Sequence, residues 1–252
     1  MKKIVMLAVT ILCITLVVLG KNYYDKRVAS SVDNSLLISN EENNNELLEL
    51  TRNMNPDLSE LIMERINNNE KVSILVMGSN AILTGDAKNL PWPIMLKEKL
   101  DTSYGQDVFE LNILNFEDSS TYHIIETNGH LNAASFKSDI VLFEPLLLND
   151  NGIVLMEHTL ENIDFILNSI KNESPNAFVI LQPANPLKDA PVYLSQEEAL
   201  QGFAEENGYE YFDHWNVWPT AHDLDEYLTG GYPNNKGHEI WAKYIITYFV
   251  SE

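Results

Sequence analysis

Five short apolar runs recur from residue 72 onward: "VSILVMG" (72–78), "VFELNIL" (108–114), "DIVLFEP" (139–145), "AFVILQP" (177–183) and "YEYFDHW" (209–215). Each is too short for a core helix and apolar on both faces, the mark of a strand buried within a sheet. Helical segments lie between and after them. "TLENIDFILNSIKN" places Leu160, Ile163, Ile166, Leu167 and Ile170 on one face. "SQEEALQGFAEENG" is expected to begin with a capping box, Ser195 with Glu198, and to stop at Gly208. "NNKGHEIWAKYIITYFV" aligns Ile240, Trp241, Tyr244, Ile245, Tyr248 and Phe249 in a stripe that reads as core packing. Alternation of this kind predicts an α/β fold, a three-layer α/β/α sandwich around a five-stranded parallel sheet. A ligand crevice in such a sheet lies beyond the carboxyl ends of the strands. Those ends are residues 78–80, 114–116, 145–150, 183–186 and 214–218.

With 252 residues, 45% of them hydrophobic, the chain has material for one sizeable core. The first 27 residues hold five of the 16 basic residues and one of the 37 acidic ones, leaving 11 against 36 in the remainder. A net charge near -25 on residues 28–252 repels phosphate backbones and anionic headgroups, so no nucleic-acid partner is expected. The chain opens "MKKIVMLAVTILCITLVVLGK", two lysines followed by 17 residues without a charge. That run is longer than most signal-peptide cores, and no small-x-small cleavage site follows directly, since Lys21, Asn22, Tyr23 and Tyr24 come next. Residues 1–27 therefore read as an N-terminal membrane-anchor helix or signal segment, an uncleaved anchor being favoured over a cleaved signal that would leave the protein secreted, with the C-terminal domain extracytoplasmic. The one cysteine, Cys13, lies inside the apolar run, so disulfides and thiolate metal sites are excluded from the rest. Residues 28–71 turn rich in Asn, Glu and Ser and read as a polar, partly helical spacer, its helical spacing interrupted at Pro56. Residues 72–252 form the folded domain. No cofactor or metal is expected: there is no Gly-rich loop with lysine, no H-E-x-x-H and no calcium loop.

Four stretches carry a family likeness. They are "ILVMGSNAILTGDAKNLPWPIMLKEKL", "SDIVLFEPLLLNDNG", "VILQPANP" and "YLTGGYPNNKGHEIWAKYI", in that order and with appropriate spacing. Over residues 72–250 the chain resembles the SGNH (GDSL-like) hydrolases, which have a flavodoxin-like α/β/α architecture. The resemblance implies a serine nucleophile that attacks an ester or acyl carbonyl, a histidine base and an orienting aspartate. It also implies an oxyanion hole made by the serine N–H, a glycine N–H from the second block and an asparagine side chain from the third. Carried over position by position, the machinery is missing. Asn80 stands at the nucleophile position, with Ser79 one residue early; Thr229 stands at the aspartate position and Tyr232 at the histidine position, before the matching Pro233-Asn234. The second block, "VFELNILNFEDSSTYHIIETN", has no glycine before Gly129. Asn149 alone matches a functional position, that of the oxyanion-binding asparagine.

An asparagine amide offers no ionisable nucleophile, and a phenol with a pKa near 10 is a poor general base. Ser79 remains as a displaced nucleophile candidate, and His214 ("FDHW") and His222 ("TAHD") as alternative bases. His238 reads as structural, and the "DLDE" cluster at 223–226 as a solvated helix start. Trp92, Trp215 and Trp218 suit either a sugar-binding cleft or the core. Two function classes follow. One is a membrane-anchored, extracytoplasmic SGNH-like protein without hydrolase activity, with a binding or assembly role in the cell envelope. The other is a divergent esterase acting through Ser79 on an acylated glycan or small ester.

Overall fold

The structure, a computed structural model, describes residues 21, 45–84, 90–220 and 222–251. Two units make up the chain. In the first, Met1–Glu49, the described residues are Lys21 and 45–49, all helical; the expected anchor, Lys21 apart, and residues 28–44 of the expected spacer lie outside the described residues. Among those described, no helix is long and apolar enough to cross a membrane.

The second unit, Leu50–Glu252, holds a five-stranded parallel sheet. Its strands are β1 (Val72–Gly78), β2 (Phe109–Asn115), β3 (Ile140–Phe143), β4 (Phe178–Leu181) and β5 (Glu210–Tyr211), in the order β2-β1-β3-β4-β5. In register, Ile74 of β1 lies beside Leu111 of β2 and Ile140 of β3. A two-stranded antiparallel hairpin, β6 (Leu228–Thr229) with β7 (Tyr232–Pro233), stands apart from the main sheet.

The helices are α1 (Pro56–Asn67), α2 (Trp92–Tyr104), α3 (Thr121–Glu126), α4 (Gly129–Ser135), α5 (Leu147–Asp150), α6 (Met156–Glu173), α7 (Pro191–Asn207) and α8 (Asn235–Phe249). Alternation along the strands sorts them into two layers. Ile74, Val76, Ile140, Leu142 and Ile180 face a core shared with α1, α2 and α8. Leu75, Met77, Val141, Phe143, Val179 and Leu181 face the opposite core, filled by α3 to α7. The sheet is thus covered on both sides, as the mostly apolar central strands β1, β3 and β4 require.

Two sequence expectations need correction. The fifth strand spans two residues rather than seven, and the chain turns into a 3-10 helix over His214–Val217. The helix expected to start at Ser195 starts at Pro191, and the Ser195 hydroxyl donates inside the helix to the Val192 carbonyl. Pro191 wins because proline, with no N–H to satisfy, is already shaped for a first helical turn. The same helix ends at Gly208 in the left-handed region, φ 69°.

The structure also draws the start of the domain earlier than residue 72. In α1, Leu58 and Ile62 are fully buried in the core. Arg65 at its end reaches Asp139 (2.6 Å), whose other oxygen accepts from the Ser73 N–H and hydroxyl, both at 2.8 Å. One carboxylate thereby ties α1 to the starts of β1 and β3. Leu58→Ala is expected to cost about 2–5 kcal/mol by urea denaturation, as for a core leucine and unlike a spacer residue.

Candidate functional site

The strand order reverses between β1 and β3, since the chain goes from β1 outward to β2 and then returns to β3. The carboxyl ends of β1 and β3 therefore frame the crevice. Glu144, the residue after β3, is fully buried there. Its Oε2 accepts the Ser79 N–H (2.7 Å) and its Oε1 the Leu146 N–H (2.9 Å). Burial pushes the Glu144 pKa up, while the donors from Ser79 and Leu146 oppose the shift. Gly78 makes the approach feasible: a Cβ there would lie 2.9 Å from both Glu144 Cβ and Oε2. Leu146 takes a left-handed backbone, φ 59°, which costs an L-residue about 1–2 kcal/mol. Its bonded N–H and its buried side chain hold it there.

Ser79 sits at the N-cap of the 3-10 turn Asn80–Ile82, its hydroxyl accepting the Ala81 N–H at 3.2 Å. It is 3% exposed. Neither candidate base serves it. His214 is fully buried: Nε2 bonds the Pro183 carbonyl (2.9 Å), and Nδ1 accepts the Trp218 indole N–H (3.0 Å). Burial lowers its pKa to about 3. His222 is exposed to solvent, with Asp223 3.9 Å away. His238 is structural: its Nδ1 accepts the Trp92 N–H, its Nε2 bonds the Thr84 carbonyl, and burial lowers its pKa.

Asn80, Tyr232 and Asn149 gather around a loop that sequence reasoning passed over. After β2 the chain turns at Glu117 (φ 55°), whose N–H bonds the Asn115 side-chain oxygen at 2.8 Å. This turn puts Asp118 at the centre of a polar cluster. Asp118 Oδ1 accepts from the Asn80 amide (2.9 Å) and the Tyr232 hydroxyl (3.4 Å). Asn80's own oxygen accepts from the Asn115 amide at 3.1 Å. Asn149 donates to the carbonyls of Glu117 (3.0 Å) and Ser119 (2.9 Å), pinning the loop from below. Beneath it, the buried Asp150 accepts the Thr121 N–H and the hydroxyls of Thr121 and Thr159. Partial burial and then the Asp118 charge raise the Tyr232 pKa, so the phenol stays protonated and donates.

Tyr232 arrives on the β6–β7 hairpin, paired with Thr229 across Gly230 (φ 63°) and Gly231 (φ 87°). Asn185, beyond β4, donates to the Gly231 carbonyl (3.0 Å) and holds the turn down. Thr229 itself is exposed at the rim. Trp92 and Trp218 are core residues, and the Trp215 indole bonds the Ala184 carbonyl. In the "DLDE" stretch Asp225 and Glu226 are exposed while Leu224 is buried. Among the described residues no group of three or more His, Cys, Asp or Glu is placed to hold a metal.

Solved structures share this fold. A GDSL-like lipase from Parabacteroides merdae superposes with a TM-score of 0.60 over 71% of this chain and 95% of its own, at 13% identity. This is the SGNH/GDSL hydrolase fold. An acetylxylan esterase from Geobacillus stearothermophilus matches at a TM-score of 0.55, covering 71% of this chain and 94% of its own at 11% identity. A lipolytic protein of the G-D-S-L family from Desulfitobacterium hafniense gives 0.55 with 15% identity, over 71% and 99% of the two chains. No family model and no curated protein matches the sequence.

Asp118, Asn115 and Glu144 are the site residues that sequence reasoning missed. Glu144 had a signal, a carboxylate closing an otherwise apolar strand run. Asp118 had none, because its role depends on the turn at Glu117. Glu144→Gln is expected to destabilise the fold by about 1–3 kcal/mol, since an amide nitrogen would face one of two backbone donors. Urea denaturation at pH 7 reads this out. A depressed histidine pKa gives stability that is full above about pH 6.5 and lost as pH falls toward the folded value. The His214 imidazole is accordingly expected to stay neutral at pH 5 in the folded state, as read by NMR, while the denaturation midpoint falls between pH 7 and pH 5.

Proposed function

We propose that this SGNH-fold domain is a non-hydrolytic binding or assembly module. The observation that carries this reading is the closed hydrogen-bond circuit at the crevice. Asn80, at the nucleophile position, spends its amide on Asp118 and its oxygen on Asn115. Tyr232, at the base position, is a donor to the same Asp118 and has no proton-accepting role while its pKa is raised. Asn149, at the oxyanion position, gives its amide to two loop carbonyls. A hydrolase needs these groups poised toward substrate; here they are poised toward one another. The placement of residues 1–27 as a membrane anchor, with the domain outside the cytoplasm, belongs to the same proposal and rests on the 17-residue uncharged run.

The second reading is an esterase working through Ser79, on acylated glycans or small esters of the kind that the lipase and acetylxylan esterase neighbours suggest. What favours it is the buried Glu144 carboxylate beside Ser79, an acid–base group bonded to the backbone of a candidate nucleophile. Against it stand the 3% exposure of Ser79 and the lack of a histidine at its hydroxyl among the described residues. The full chain is expected to show no turnover of short-chain aryl esters and no adduct with a fluorophosphonate probe. Turnover that Ser79→Ala abolishes, with the fold intact by circular dichroism, would decide for the esterase.

A further inference from the structure

We propose that the helical layer built from α3, α4, α6 and α7 is a docking face for a basic, amphipathic polypeptide segment of a partner protein. Ten large apolar residues are exposed among those described, and seven of them lie on this layer or on the segment leading into α6. The ridge of that segment carries Ile153 and Leu155, 76% and 66% exposed. Beside it stand Tyr122 of α3 and Val192 of α7, both exposed and each lining a groove with the ridge. Two grooves of about 480 Å³ each flank the ridge, one toward α3 and one toward α7. Exposed apolar clusters of this kind mark interaction surfaces, because leaving them in water forfeits about 25 cal/mol per Å².

The charge pattern selects the occupant. Between Lys99 and Lys171 the sequence has one permanent cation, Lys137, and that lysine pairs with Glu173. Helices α3 and α7 contain no lysine or arginine, and α6 has none before Lys171. Neither groove is lined by one. Acids are present instead: Glu126 on α3, and Glu157 and Glu161 on α6 beside the ridge. The two histidines of this face, His123 and His158, stand against Glu126 and Glu161. An apolar ridge whose acidic border holds no lysine or arginine complements a segment whose apolar side chains fill the grooves while lysines or arginines meet the border. The same border repels an anionic lipid surface.

The test uses the full chain in dilute non-ionic detergent and two fluorescent amphipathic helical peptides with identical leucine spacing, one with lysine and one with glutamate on the polar face. Anisotropy titrations are expected to show binding of the Leu/Lys peptide only, weakening between about 50 and 500 mM salt. Ile153→Asp combined with Leu155→Asp should weaken binding by about tenfold or more. These substitutions add negative charge, so a loss reports the apolar contact and not general attraction. Glu157→Lys with Glu161→Lys should also weaken it, and Val217→Asp on the opposite side should leave it unchanged. The proposal fails if both peptides bind alike, if the Leu/Lys peptide does not bind, or if the Ile153/Leu155 variant binds as the parent does. It fails equally if those two substitutions abolish self-association, or flotation with phosphatidylcholine vesicles, while peptide binding persists.

Discussion

One buried carboxylate organises the active end of this fold. Glu144 leaves the last turn of β3 and accepts backbone N–H groups from Ser79, after β1, and from Leu146. These strands lie side by side where the sheet changes direction, so the contact ties together the two strand ends that frame the crevice. Burying a carboxylate costs several kcal/mol, and two short backbone donors offset that cost. The rest follows from it: Gly78 must lack a side chain, Leu146 must adopt a left-handed backbone, and Ser79 must face inward.

Above this carboxylate the second layer of the site is also self-contained. Asp118 collects the Asn80 amide and the Tyr232 phenol, and Asn149 fastens the loop that presents Asp118. Acyl transfer requires donors held toward a developing oxyanion and a base with a free lone pair. Here amide, phenol and carboxylate find partners within the chain. The hairpin that brings Tyr232 is placed by Asn185 and by two glycines at positive φ, so the cluster is built by the fold.

The layer assignment was legible in the sequence because buried parallel strands leave a strong trace. Each run alternates between two cores, as Ile74 and Val76 against Leu75 and Met77 illustrate. Helix starts and domain limits were less legible. The helical spacing of α1 was legible, but its Asn- and Glu-rich surroundings hid that Leu58 and Ile62, on one stripe, belong to the core of the domain. Within the site, Asn80, Tyr232 and Asn149 could be named from their blocks. Asp118, which joins two of them, could not be, since nothing in "NFEDSST" says that the backbone reverses at Glu117.

By itself, the sequence determined the α/β architecture and the strand ends at which loops meet beyond the sheet. These are properties of local pattern and residue chemistry, readable one segment at a time. Only the tertiary structure decided that Glu144 sits beneath Ser79, that His214 is locked neutral by burial, and that Asp118 engages both Asn80 and Tyr232. Those outcomes depend on which loops meet across the sheet, and hydrogen bonds between residues 35 to 114 positions apart leave no periodic signature in the chain.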